Sequence, residues 1–313
     1  MNVSSLQKKM SANKSLTLLF LVGLFSLTFL IFKTSNVFAA TDAPTSGTST
    51  SAITAQSITY TWAAPANFSG SKWVVASSTN RVPTDAQIAV ITNTSTVSFT
   101  VNGLATNTLY YLGAAGGDAT GATSSYATSS ATYTLADTPG TPTLSAATAQ
   151  GFTVTINSSS NPAATTYVVR DTAQATLQYL QSDGTWGVSS STTFTAVQLG
   201  AINGTSTTGL ATNTIHRISV AAVNGDRVTS SFGSAVDIIT LAATPGVSTL
   251  SAAAIQGFTV TINSSSNPAT TTFVVRDTGQ ATLQYLQSDG TWGVSSSTTF
   301  TAVQLGAING TST

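Results

Sequence analysis

The chain has 313 residues, enough for two or three domains, and only 6% of them are charged. Formal charge is zero overall, but four of the ten basic residues are Lys8, Lys9, Lys14 and Lys33. Beyond Ala39, six basic residues face ten aspartates, a net of −4, with no glutamate anywhere. A weakly acidic body with scattered arginine excludes a nucleic-acid partner, which needs clustered Lys and Arg. An apolar content of 41% disfavours disorder, and the absence of cysteine leaves each domain to be held by its core alone.

The N-terminus reads as an export address. Lys8, Lys9 and Lys14 form a basic region, Leu16–Phe32 is a 17-residue apolar run, and Val37 and Ala39 place small residues at −3 and −1 of a cleavage site. Residues 1–39 are therefore expected to be a signal peptide cleaved after Ala39, or a retained anchor helix. Only in the second case does the protein meet a membrane. Residues 40–52, including Thr41–Ser51, lack apolar periodicity and read as a flexible linker.

Strand signals follow. Ile58, Tyr60 and Trp62 alternate in a half-buried strand that Pro65 ends, and Lys72–Ala76 is a short central strand. Val97, Phe99 and Val101 alternate next, then come Leu109–Ala114 and Ala131–Leu135. Further on, Phe152, Val154 and Ile156 alternate, Tyr167–Arg170 is central, and Leu177–Gln181 and Thr185–Val188 flank Asp183-Gly184. That dipeptide predicts a two-residue hairpin with positive φ at both central residues. Ile215–Val223 and Val236–Leu241 close this unit. No helical periodicity of useful length occurs after residue 40, so the fold class is all-β, a series of β-sandwiches.

The unit is then written again. Ala146–Thr207 recurs as Ala252–Thr313 at an offset of 106, with five differences in 62 positions. A period that long is a whole domain, beyond the 20–50 residues of solenoid repeats. The expected boundaries are 53–136, 137–241 and 242–313, joined by short Pro-containing junctions at Pro139 and Pro245. The third copy ends before any counterpart of Ile215–Val223 or Val236–Leu241. Phe258, Val260, Ile262, Phe273 and Val275 are therefore expected to lose apolar neighbours.

Catalytic motifs are lacking: there is no G-x-S-x-G, P-loop or H-E-x-x-H. One histidine and no Cys or Glu leave no metal set and no cofactor to expect. Asp183, Asp226 and Asp289 each adjoin a glycine and read as turn formers. Trp186 and Trp292 follow Asp-Gly turns. With Tyr179 and Tyr285 they are candidate ligand contacts, for stacking on a sugar or anchoring a partner, or else cross-strand packing residues. Trp62 and Trp73 read as core.

From Ile53 to Thr313 the chain resembles fibronectin type III repeats. The likeness rests on Trp62 with Pro65, on Leu104-Ala105-Thr106-Asn107-Thr108-Leu109-Tyr110, and on Leu210-Ala211-Thr212-Asn213-Thr214-Ile215-His216 followed by Ile218, Val220, Ala222 and Asn224. Thr106 and Thr212 stand where the family has proline, His216 where it has tyrosine and Ile156 where it has tryptophan; Leu177–Thr208 is longer than the family's middle strands. The resemblance implies tandem immunoglobulin-like sandwiches of two antiparallel sheets, with Tyr110 and His216 as structural corner residues bonded to backbone upstream. It further implies an exported, bacterial cell-surface protein without catalysis, acting as extracellular spacer and interaction scaffold. Its partners would be a cell-surface protein or polysaccharide. The alternatives are an adhesin or carbohydrate-binding array, or accessory domains of an extracellular enzyme.

Overall fold

The computed structural model describes residues 43–45, 49–66, 68–79, 87–92, 95, 97–119, 121, 123–201, 209–255, 257–307 and 309–311. The expected leader, including Leu16–Phe32, lies outside them. Among the described residues no helix is long and apolar enough to cross a membrane.

The first unit contains β1 (Ser49–Ser51), β2 (Ser57–Thr61), β3 (Lys72–Ser78), β4 (Gln87–Ile91), β5 (Ser98–Asn102), β6 (Leu109–Gly117), β7 (Ala127–Thr128) and β8 (Thr132–Tyr133). They form two sheets, β1-β2-β5 and β4-β3-β6-β7, with β8 also on β6. Alternation in β2 sends Ile58 and Tyr60 inward, where they meet Trp73, Val75, Leu112 and Ala114 of the opposite sheet. The Tyr60 hydroxyl crosses the core to donate to the Ala127 carbonyl at 2.6 Å. The end of the expected linker is corrected here: Ser49–Ser51 pairs with Thr59–Thr61. Backbone pairing to an edge needs no apolar period, so composition gave no sign of it.

The second unit contains β9 (Thr143–Ser145), β10 (Thr153–Thr155), β11 (Thr166–Asp171), β12 (Gln178–Leu180), β13 (Trp186–Gly187), β14 (Phe194–Thr195), β15 (Ile215–Val223) and β16 (Val236–Ile239). β9 pairs with β10, and the second sheet runs β13-β12-β11-β15-β16, with β14 on β11. Phe152, Val154, Tyr167, Val169, Ile218 and Val220 fill the space between them. Ala136, placed at the end of the first unit by sequence, packs into this core.

Two local expectations change. Around Asp183-Gly184 only Gly184 takes positive φ (83°). The Asp183 carboxylate instead accepts from the Thr185 amide at 2.9 Å and hydroxyl at 2.7 Å, so a longer turn ending on a left-handed glycine replaces the two-residue loop. A one-turn helix, Ala196–Ala201, also occurs where none was expected. Thr195 and Gln198 cap it reciprocally: the Gln198 amide donates to Thr195 Oγ1 at 3.2 Å and the Thr195 amide to Gln198 Oε1 at 2.8 Å. The cap lets so short a helix drive Leu199 fully into the core.

The third unit contains β17 (Thr249–Ala254), β18 (Gly257–Thr261), β19 (Thr272–Phe273), β20 (Arg276–Asp277), β21 (Gln284–Leu286), β22 (Trp292–Gly293), β23 (Phe300–Thr301) and β24 (Asn309–Thr311). It gives a comparison within one chain, because among the described residues no strand takes the place of β15 in this nearly identical sequence. In the second unit β15 pairs with every residue of β11. In the third, the corresponding strand breaks into β19 and β20, and Val274 is 46% exposed where Val168 is 4% exposed. Phe258 and Val275 are half-buried where Phe152 and Val169 are buried, but Ile262 is half-buried just as Ile156 is, and Val260 and Phe273 remain buried. The retained cover comes from Leu286, Phe300 and Leu305, which form a small core with Phe273.

Candidate functional site

His216 and Asp171 form the one buried ion pair among the described residues. Strands β11 and β15 place them side by side, with His216 Nδ1 2.7 Å from Asp171 Oδ2 and both side chains almost fully enclosed. The other carboxylate oxygen accepts the amides of Ala173 and Arg217, each at 2.9 Å. Burial pushes the Asp171 carboxyl up. The bond to His216, the two amides and the charge of His216 outweigh that and hold it below the ordinary carboxylate range. The corner expectation for His216 is thereby corrected: its ring nitrogen meets a carboxylate across the sheet, not backbone upstream. Tyr110, at the equivalent place in the first unit, accepts the Ala105 amide through its hydroxyl at 3.0 Å. In register, Ser77 faces Leu112 as Asp171 faces Ile218. The Tyr-to-His exchange at the corner is thus matched by a Ser-to-Asp exchange on the neighbouring strand. No nucleophile adjoins the pair, and among the described residues no group of three or more His, Cys, Asp or Glu could hold a metal. The pair is enclosed, oriented and without a substrate path, which suits cohesion of the core.

The aromatic candidates do not form a platform. β12 and β13 set Leu180 opposite Trp186 and Tyr179 opposite Gly187, so Trp186 turns to the core face and Tyr179 to the other. Trp186 packs on Phe152 with ring centroids 6.1 Å apart, and Trp292 repeats this on Phe258 at 6.0 Å. Tyr285 pairs with Gly293 in the same way. All four rings are half-buried.

A second constellation lies where the units meet, and sequence reasoning missed it. Thr106 donates its hydroxyl to the Ser160 carbonyl at 2.9 Å, and Asn107 donates its side-chain amide to Thr165 Oγ1 at 2.8 Å. One repeat further on, Thr212 donates to the Ser266 carbonyl and Asn213 to Thr271 Oγ1, both at 2.8 Å. Thr106 and Thr212 are the positions where the family pattern has proline, which has no hydroxyl to donate. Asn107 and Asn213 sit at φ 42° and 46°, a left-handed conformation that asparagine tolerates. The Asn161 amide brackets the linker, bonding the Asp137 backbone on both sides at 2.8 Å, and Asn267 does the same at Ala243.

The loop Asn224–Arg227 completes the first joint. The Gly225 amide donates to Asn107 Oδ1 at 2.9 Å, the Tyr133 amide to Asp226 Oδ2 at 3.0 Å, and the Asn224 side chain to the Thr134 carbonyl at 3.2 Å. Asp226 is therefore more than a turn former. Asp183 and Asp289 do serve their turns, each held below the usual range by bonds from the following threonine.

No family model matches the chain, and no curated protein matches it. Solved structures similar to it include chicken CNTN1 FN1–FN3 domains, at 13% identity and TM-score 0.28, covering 75% of this chain and 80% of that one. A two-domain fibronectin type III segment of chicken tenascin aligns at 15% identity and TM-score 0.38, covering 62% of this chain and 97% of that one. The sheet pairing itself defines the class: tandem all-β units built of antiparallel sheets.

Proposed function

We propose that this protein is a non-catalytic spacer and interaction scaffold, exported to the cell exterior. Its units follow the sequence boundaries 53–136, 137–241 and 242–313, with Ser49–Ser51 joined to the first and Ala136 to the second, behind a leader at 1–39. One observation carries the spacer role: the same threonine and asparagine bonds recur at both joints, within 0.1 Å of each other. A repeated joint fixes the angle between neighbours. Successive units then add length in a set direction, as in arrays whose stability is a sum of units and nearest-neighbour interfaces. The basic region and apolar run before Ala39 support export. The partners that suit such a scaffold are a cell-surface protein or polysaccharide.

Two measurements test this. Small-angle scattering of the exported protein should give one extended particle; a compact globule, or the broad distribution of freely jointed beads, contradicts a spacer. N-terminal sequencing of the same material should start near Ala40, and a product still carrying Leu16–Phe32 contradicts release from the membrane.

A further inference from the structure

The outer face of β11 and β15 carries a cavity of about 510 Å³, within the range of small-ligand sites. Its floor is Val168 and Val223. One wall is Ser190, Ser191 and Thr193, from the stretch between β13 and β14 that is longer than in the family pattern. The other wall is Thr229 and Arg227, from the loop after β15. Five hydroxyls, counting Thr166, and one guanidinium therefore converge on a space for one or two sugar rings. The lining holds no carboxylate. Asp226, next to Arg227, is turned away to the Tyr133 amide of the first unit. Among the described residues no carboxylate pairs with Arg227, whereas Arg217 is held bidentately by Asp237 at 2.7 and 2.8 Å.

The backbone supplies an independent sign. Arg227 sits at φ 63°, where glycine is the easy residue and any side chain is strained. Asn224 holds the loop in that shape, its Oδ1 accepting the amides of Asp226 at 3.1 Å and Val228 at 2.8 Å. Gly225 and Asp226 are pinned from the first unit. The loop thus keeps an arginine in a strained place and aims it over the hydroxyl-lined cavity. The joint between the units fixes the geometry.

We infer that this cavity binds a carboxylated saccharide. Arg227 would take the carboxylate, and the serine and threonine hydroxyls the ring hydroxyls. The uncompensated positive charge favours an anion, and five hydroxyls without an exposed aromatic favour a polyol over a flat apolar ligand.

The test is amide chemical-shift titration of the full chain with glucuronate, glucose and acetate. Glucuronate should saturably shift Thr166, Ser190–Thr193 and Asn224–Thr229 with a dissociation constant on the order of 1 mM, at least about tenfold tighter than glucose or acetate. Arg227→Gly should abolish that preference. Because glycine suits φ 63°, it should leave the melting temperature unchanged or raised, so loss of binding cannot be loss of fold. Asn107→Ala, which unpins the loop from the first unit, should weaken glucuronate without touching the cavity. The assignment is overturned if glucuronate shifts nothing saturably, if glucose or acetate matches it, or if Arg227→Gly binds like the parent.

Discussion

Gly225→Ala separates the joint from the units it connects. Gly225 lies outside the left-handed region, so alanine suits its backbone and by itself favours the fold by about 0.4–1 kcal/mol through the unfolded chain. A Cβ there, however, would run into the Tyr133 ring of the first unit. Either the half-exposed ring swings aside or the loop lifts. Where the loop lifts, three bonds go with it: Gly225 to Asn107, Asn224 to Thr134, and the Tyr133 backbone amide to the Asp226 carboxylate. At the low end for solvent-accessible bonds, one of them charge-assisted, their sum is about 2.5 kcal/mol, roughly a seventyfold weakening of the loop's hold, while the Thr106 and Asn107 bonds to the second unit remain. Amide relaxation should then report more internal motion at Asn224–Arg227 in Gly225→Ala than in the parent, with the second unit's unfolding midpoint unchanged or slightly raised. A variant whose loop relaxes as the parent's does would refute the lifting of the loop and show that the Tyr133 ring yields alone.

Three further outcomes are expected. Asp171→Ala should cost the second unit about 3 kcal/mol by breaking a buried pair, read from denaturant midpoints. Because the folded Asp171 carboxyl is held below its unfolded value, its contribution is complete above the ordinary carboxylate range. It is lost as pH falls through and below that range, so the parent should lose stability on acidification there and Asp171→Ala should lose less. Tyr110→Phe should cost about 1 kcal/mol by leaving the Ala105 amide unpaired; no change in midpoint would mean water replaces the hydroxyl freely. Hydrogen exchange should be faster in Gly257–Val275 than in Gly151–Val169, because among the described residues no strand pairs with β19 and β20 as β15 pairs with β11. Equal protection would show that the small core around Phe273 suffices.

Much of the fold was legible because it follows from two-residue alternation. Ile58, Tyr60, Phe152 and Val154 read as inward-facing and are buried. The corner tyrosine was legible through the motif around Leu104–Tyr110. What was hidden depends on pairing across distance. Asp171 and His216 are 45 residues apart, and their coupling shows only once β11 and β15 are in register. Trp186 and Tyr179 looked like neighbours along the chain, yet the hairpin sends them to opposite faces. The helix Ala196–Ala201 did carry a sign, the Thr-x-x-Gln capping pattern at Thr195–Gln198, which apolar periodicity over six residues cannot reveal. The joint was written plainly, as the threonines that replace the family's proline. A departure from a pattern does not say what it touches until the next unit is in place.

The central claim is that successive units share one rigid, repeated joint. Residual dipolar couplings measured on the full chain test it most directly, because each unit reports its own alignment. A single alignment tensor for the first two units, with the loop Asn224–Arg227 oriented as the bonds to Asn107 and Tyr133 require, is the predicted result. Separate tensors of different magnitude for the two units would contradict it.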